Sequence, residues 1–156
     1  VSEPRDEPRG ETRRRAREIA LQWLYQWEIG GHHLDRMFEG GHLIQLHPPE
    51  RERDELAEEL VRGVAENLDR IDPLIREGAE HWRIERIAVV DRLVVRLGVY
   101  ELLFEPEIPH NVIINEALEL ARLFSTEDAV KFVNGVLDGI RKKVRPDTGG
   151  GAGEAP

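Results

Sequence analysis

The 156-residue chain has no cysteine, which excludes a disulfide framework, a thiolate metal site and a cysteine nucleophile, and suits a reducing compartment. Aromatic residues make up only 6%, against 40% apolar and 34% charged residues, a composition that fits one soluble domain. Long uncharged runs are missing as well. The longest apolar stretch, Ile87 to Phe104, contains Asp91, Arg92, Arg96 and Glu101 and ends at the acidic run around Pro106, so no segment reaches the ~18 to 20 uncharged residues that a membrane span needs. The opening VSEPRDEPRG has charges of both signs and no apolar core, so no secretory signal is expected and the location should be cytoplasmic. Glycines 149, 150, 151 and 153 lie in the terminal stretch with neither a strand before them nor a helix after them; no phosphate-cradling loop results.

What is present is charge, unevenly spread. The net charge is −9, yet residues 1–17 and 131–156 each come to +2, leaving −13 on the middle. Arg9, Arg13, Arg14, Arg15 and Arg17 oppose only Glu11, and Lys131, Arg141, Lys142, Lys143 and Arg145 oppose only Asp138. Two basic clusters flank an acidic body.

Apolar residues recur at three and four spacing almost throughout, and β-branched alternation bounded by turns is absent, which predicts an all-α bundle of about six to seven helices. Residues 1–11 and 145–156 are rich in Pro, Gly and charge and read as disordered tails. Thr12 is placed to cap a first helix whose Ala16, Ile19, Ala20, Trp23, Leu24 and Trp27 form one stripe, stopped by Gly30 and Gly31. A short helix is expected around Leu34 to Phe38, then a loop to Pro49, then a helix from about Glu50 to Leu68. Asp72 before Pro73 reads as the cap of a short helix to about Glu80. The stretch Ile84 to Phe104 should be the central buried helix. His110 to Phe124 follows, with Ile113, Ala117, Leu120, Ala121 and Phe124 inward. Ser125 heads a capping-box pattern for a last helix to about Val144 with Val133, Val136, Leu137, Ile140 and Val144 in the core.

Catalytic signals are weak. His32, His33, His42 and His47 share one region but match no helical i, i+4 ligand pair, so they read as exposed loop histidines. The acid pairs Glu58 with Glu59 and Glu127 with Asp128 read as solvated faces or helix starts. The first helix is more informative. Arg14, Arg17, Glu18, Leu21 and Tyr25 plot opposite the apolar stripe, and arginines with an aromatic one or two turns on supply what single-stranded RNA requires, phosphate partners and a stacking surface. A solvated arm, with Tyr25 flanking the packing, is the plainer alternative. On the last helix Asp128, Lys131 and Gly135 group opposite the core face, and Phe132 lies at its margin, compatible with partial packing or with an exposed ring. Gly135 in mid-helix fits close approach of another helix or of a partner backbone.

Four segments together carry a family resemblance. TRRRAREIALQWLYQWE at 12–28, VDRLVVRLGVYELL at 90–103, IPHNVIINEALELARLF at 108–124 and EDAVKFVNGVLDGIRK at 127–142 resemble the signature segments of the NusB family of transcription antitermination factors, in order and with spacing preserved. The likeness spans about 12–144. Its most specific pieces are RRRARE, YEL, INEA and KFVNGVLD; Ser125, where a glycine is usual, is a departure.

The resemblance implies one RNA-binding domain at 12–144 built of two packed helical subdomains, about 12–80 and 84–144. It implies no catalysis and no cofactor. It implies pairing with NusE, a small-subunit ribosomal protein, to bind boxA RNA of ribosomal RNA operons and, with RNA polymerase and other Nus factors, to suppress premature termination. The implied RNA residues are Arg13, Arg14, Arg15, Arg17, Tyr25, Asp128, Lys131 and Phe132, and Asp91 marks the NusE interface. A homodimer is a further expectation. An accessory domain of an RNA methyltransferase system and a purely structural helical dimer are the competing readings, the first disfavoured by the lack of a cofactor-binding segment. The acidic body suits a basic ribosomal partner.

Overall fold

The computed structural model describes residues 9–31, 33–79 and 83–147. Among them there are seven α-helices and no strand: α1 Arg9–Gly30, α2 Leu34–Phe38, α3 Arg51–Glu66, α4 Leu68–Gly78, α5 Val89–Phe104, α6 His110–Phe124 and α7 Glu127–Val144, with a 3-10 turn at Ile84–Arg86 before α5. The chain divides into two compact units, Val1–Leu68 and Asp69–Pro156. The expected tails 1–11 and 145–156 lie in part outside the described residues, as do His32 and the end of the helix expected to reach Glu80. No helix among the described residues is long and apolar enough to cross a membrane.

In the first unit α1 packs on α3. Ala16, Ala20 and Leu24 of α1 and Ala57, Val61 and Val64 of α3 are fully buried, as their three- and four-residue spacing requires. Met37 of the short α2 is buried too, and Phe38 meets Trp23 edge-on at 5.5 Å. Gly31 ends α1 with φ 69°, a left-handed conformation that glycine adopts without steric cost. The helix starts earlier than its sequence indicated, at Arg9, so Thr12 lies inside the first turns rather than at the cap.

In the second unit α5 packs against both α6 and α7. Gly98 lets α5 approach α7: a Cβ there would lie 2.9 Å from Leu137 Cδ1. Two buried arginines on α5 are tied down, as burial demands. Arg92 donates to the carbonyls of Ile84 and Ile87 at 3.3 and 3.0 Å and so closes the 3-10 turn. Arg96 makes a bidentate pair with Asp72, both bonds 2.9 Å; Glu101 is 3% exposed.

Several expectations change here: the central helix expected from Ile84 begins at Val89, and Val144, expected in the core, is half-buried. Asp72 is no cap, because α4 begins at Leu68 and carries Pro73 inside it. Proline forfeits one backbone hydrogen bond there, which burial of Ile71 and Ile75 on either side offsets. Ser125 is not the cap of α7 either: Thr126 is, its Oγ1 accepting from the Ala129 N–H at 3.1 Å. Phe124, expected inward, is 41% exposed, since it is the last residue of α6 and the chain turns away beyond it.

Candidate nucleic-acid interface

On α1, Arg14 and Arg15 are exposed, Arg13 is half-buried and Tyr25 is 44% exposed. Arg15 reaches Glu11 one turn back at 2.8 Å and Glu18 at 3.8 Å, and 60% of its side chain stays in solvent. Such exposed pairs contribute little stability and exchange readily for a phosphate. Arg17 corrects the outward placement: it is 4% exposed, and Leu21 is equally buried. Arg17 lies seven residues before the fully buried Leu24, and seven residues bring a helix back to within about 20° of the same direction, so the buried arc is wider than the aliphatic stripe alone indicated.

The loop after α2 is anchored at the next residue along. Gln26 grips the backbone of Ile44 from both sides, Nε2 donating to its carbonyl and Oε1 accepting from its N–H, each at 2.9 Å. Nothing in the periodicity marked this contact. His33, His42 and His47 are exposed, and among the described residues no group of three or more His, Asp or Glu is arranged to hold a metal ion. A cavity of about 560 Å³ lies between Trp27, His33, Asp35, Arg62 and Glu66. Its arginine is already engaged, bonded to Glu58 at 2.7 Å and to Asp35 at 3.4 Å and seated 5.0 Å over the Phe38 ring. The Glu58 hydrogen bond, foremost, raises the Arg62 pKa further.

On α7, Asp128 and Lys131 are exposed and Phe132 is half-buried. Asp128 and Phe132 are four residues apart on one face and line a cavity of about 400 Å³ together with Arg86, Asp91, Thr126 and Ala129. Asp91 is thus brought into the same cavity as two of the RNA-assigned residues. Its Oδ1 accepts a 2.6 Å hydrogen bond from Ser125 Oγ, which explains what the departure from glycine at 125 does. Arg86 was not singled out by the sequence; it lies in the short turn before α5, where spacing has no period to report.

The carboxyl-terminal basic cluster is different. Arg145 caps the end of α5 and the turn after it, donating to the carbonyls of Glu101 (3.2 Å), Leu102 (3.0 Å), Glu105 (2.8 Å) and Ile108 (2.6 Å). Arg141 is buried and bonds Asp147 at 3.0 Å and Asp138 at 3.4 Å. Lys142 pairs with Asp138 at 3.2 Å and Lys143 with Glu77 at 2.7 Å. Arg145 and Asp147, placed in a tail by composition, therefore take part in the fold. Gly135 has nothing within 4 Å of a built Cβ, which removes close approach of another helix among the described residues as its explanation.

The NusB family model matches residues 14–142. The chain is 47% identical over 118 residues to the transcription antitermination protein NusB of Desulforudis audaxviator, covering 76% of this chain and 84% of that protein. To the protein of the same name from Bacillus cereus it is 43% identical over 122 residues, 78% of this chain and 91% of the other. Among solved structures, T. maritima NusB superposes with a TM-score of 0.73 at 42% identity, covering 84% of this chain and 91% of that one. A crystal structure of antitermination factors NusB and NusE in complex with double-stranded RNA gives a TM-score of 0.71 at 30% identity, covering 85% and 98%. A family match across most of the chain, relatives above 40% identity and the same helical architecture agree: the chain belongs to the NusB family.

Proposed function

We propose that the protein is a transcription antitermination factor that pairs with NusE and binds boxA RNA of ribosomal RNA operons, acting in the cytoplasm as a binding factor without catalysis. The observation that carries this is the family match over residues 14–142, within which Arg14, Arg15 and Tyr25 of α1 stay at the surface. Arg13, Arg14 and Arg15 supply phosphate contacts and Tyr25 a stacking surface. Asp128, Lys131 and Phe132 supply the contribution of α7. Arg17, being buried, acts by holding α1 rather than by meeting phosphate. Asp91 contributes to the NusE contact, where its charge complements a basic ribosomal protein. The RNA-binding region is 12–144, and with RNA polymerase and other Nus factors the complex suppresses premature termination; a homodimer that covers the RNA side is its inactive store.

The test mixes the full chain with NusE and labelled boxA RNA or a scrambled sequence at two salt concentrations. Binding should require NusE for full affinity, prefer boxA, and weaken as salt rises, because counterion release supplies much of the free energy. Equal affinity for the scrambled RNA overturns the boxA reading, and absence of a ternary complex overturns the NusE reading.

A further inference from the structure

We propose that the apolar patch formed by Ile29 at the end of α1 and by Ile44 and Leu46 on the loop after α2 docks a protein segment in which apolar side chains are flanked by lysine or arginine, contributed by a component of the transcription complex other than NusE. This rests on the functional reading above and goes further by giving the first unit a protein partner of its own. Ile29, Ile44 and Leu46 are 59%, 61% and 63% exposed. Single exposed aliphatics are ordinary, whereas a group of them marks an interaction surface. They form a group because Gln26 holds the backbone of Ile44 through two hydrogen bonds of 2.9 Å. Ile29 is one turn beyond Gln26 on α1, and Leu46 is two residues beyond Ile44.

The loop is fastened at its far end too. Arg53 donates to the Pro48 carbonyl at 2.9 Å, and Asp54 accepts from the Glu50 N–H at 3.2 Å and from the Gln45 side chain at 3.4 Å. Arg53 and Asp54 pair with each other at 2.8 Å, their side chains only 12% and 19% exposed. These bonds fix a segment without regular secondary structure while leaving its aliphatic side chains in water. A segment ordered in advance gives up little conformational freedom when it is covered, so the apolar area it buries goes into binding.

Charge selects the occupant. Beyond the arginine arm, residues 18–68 hold eleven acids against four arginines. Glu28, next to Ile29 in the chain, lines with Asp35 and Glu66 the cavity of about 560 Å³ at the same end of α1. A phosphate backbone reaching this end is repelled. A second copy is disfavoured as well, because a two-fold contact sets the same acids against one another. Cationic side chains around an apolar segment meet these carboxylates favourably, and an apolar centre within a charged rim is the anatomy of a protein interface.

The experiment uses the full chain in a purified system of RNA polymerase, Nus factors and a boxA-bearing template, scoring readthrough of a terminator beside separate measurements of NusE and boxA affinity. Ile44→Asp with Leu46→Asp should leave the unfolding midpoint unchanged and both affinities within about twofold, as for sites that do not touch. The chain concentration for half-maximal readthrough should rise by on the order of tenfold, as for loss of a central apolar anchor. Leu46→Gln, a milder change at an exposed side chain, should act in the same direction and serves where the double variant fails to fold. Glu66→Lys should raise that concentration by about twofold to threefold, less so at high salt. Leu46→p-benzoylphenylalanine should crosslink, in the assembled complex, to a lysine- or arginine-bearing segment of a protein other than NusE. Unchanged readthrough in the Ile44 and Leu46 variants overturns the docking surface and leaves the RNA-binding reading standing. Loss of NusE or boxA affinity in those variants also overturns it, by assigning the patch to those ligands, and so does a change from dimer to monomer in sedimentation, by assigning it to a second copy. If the parent chain binds neither NusE nor boxA and gives no readthrough, both readings fall.

Discussion

The amino-terminal and carboxyl-terminal basic clusters carry the same net charge in the sequence and do different work in the fold. On α1, Arg14 and Arg15 remain exposed. At the end of α7, Arg141 and Arg145 are turned onto acceptors of the chain itself, and Lys142 and Lys143 are paired at the surface. A count of cations therefore does not locate a phosphate-binding surface; what decides is how much of each cation stays in solvent, since Arg15 keeps 60% of its side chain exposed beside Glu11 and Glu18 whereas Arg141 is buried on its acceptors.

The comparison breaks most visibly at Arg145. Four carbonyls at the end of α5 and the following turn take their hydrogen bonds from this one side chain, satisfying part of a helix end that has no partners of its own. Arg145→Ala should lower stability by about 2–3 kcal/mol, since hydrogen bonds to a charged group are worth more than neutral ones and water recovers part of the loss. Urea unfolding measures it, and RNA affinity under folding conditions should be unchanged. Arg14→Glu with Arg15→Glu should do the reverse: unfolding midpoint almost unchanged, boxA affinity at low salt down by about tenfold or more as two phosphate contacts and their counterion release disappear. If the Arg145 variant loses RNA affinity at full helical content, the two clusters are equivalent after all.

Much of the fold was legible because apolar spacing reports a helix face directly: α2 and α6 fall at their expected limits. What spacing does not report is where long polar stems go. Arg17 was legible as charged but not as buried, and Arg145 reaches carbonyls some forty residues back in the chain. Ser125 and Thr126 both suit a cap, and only the position of Asp91 decides which of them serves as one. Glycines show the same division. Gly98 and Gly135 are both mid-helix, yet only the first has a neighbour. Gly98→Ala should cost about 1–2 kcal/mol, because the buried Leu137 must shift, and Gly135→Ala should stabilise by about 1 kcal/mol through helix propensity alone. Thermal unfolding separates them, and a loss of RNA or NusE affinity in the stabilised Gly135 variant would assign its open face to a partner backbone.

The smallest expected effect sharpens the contrast from the other side. Lys142 lies on the exposed surface of α7, 64% of its side chain in solvent, paired with Asp138. Its hydrogen bond, aided by Arg141, holds the Asp138 carboxyl below its ordinary value of 3.8 against the weaker opposing effect of burial. A carboxyl lowered in the folded state contributes stability above its unfolded pKa and loses it as pH falls through the folded value, so this pair supports the fold at neutral pH and ceases to do so only in acid. Because Asp138 is 45% exposed, solvent screens the pair, and Lys142→Ala should cost only about 0.3–0.5 kcal/mol at pH 7, a difference from the parent that disappears in acid once Asp138 is protonated. Lys142 lies about three helical turns along α7 from Lys131, so its removal should also leave boxA affinity within about twofold, while the Arg14 and Arg15 substitutions do not. A Lys142 variant that weakens RNA as much as they do shows that the RNA surface runs on to the end of α7, and the distinction between the clusters then rests on Arg141 and Arg145 alone.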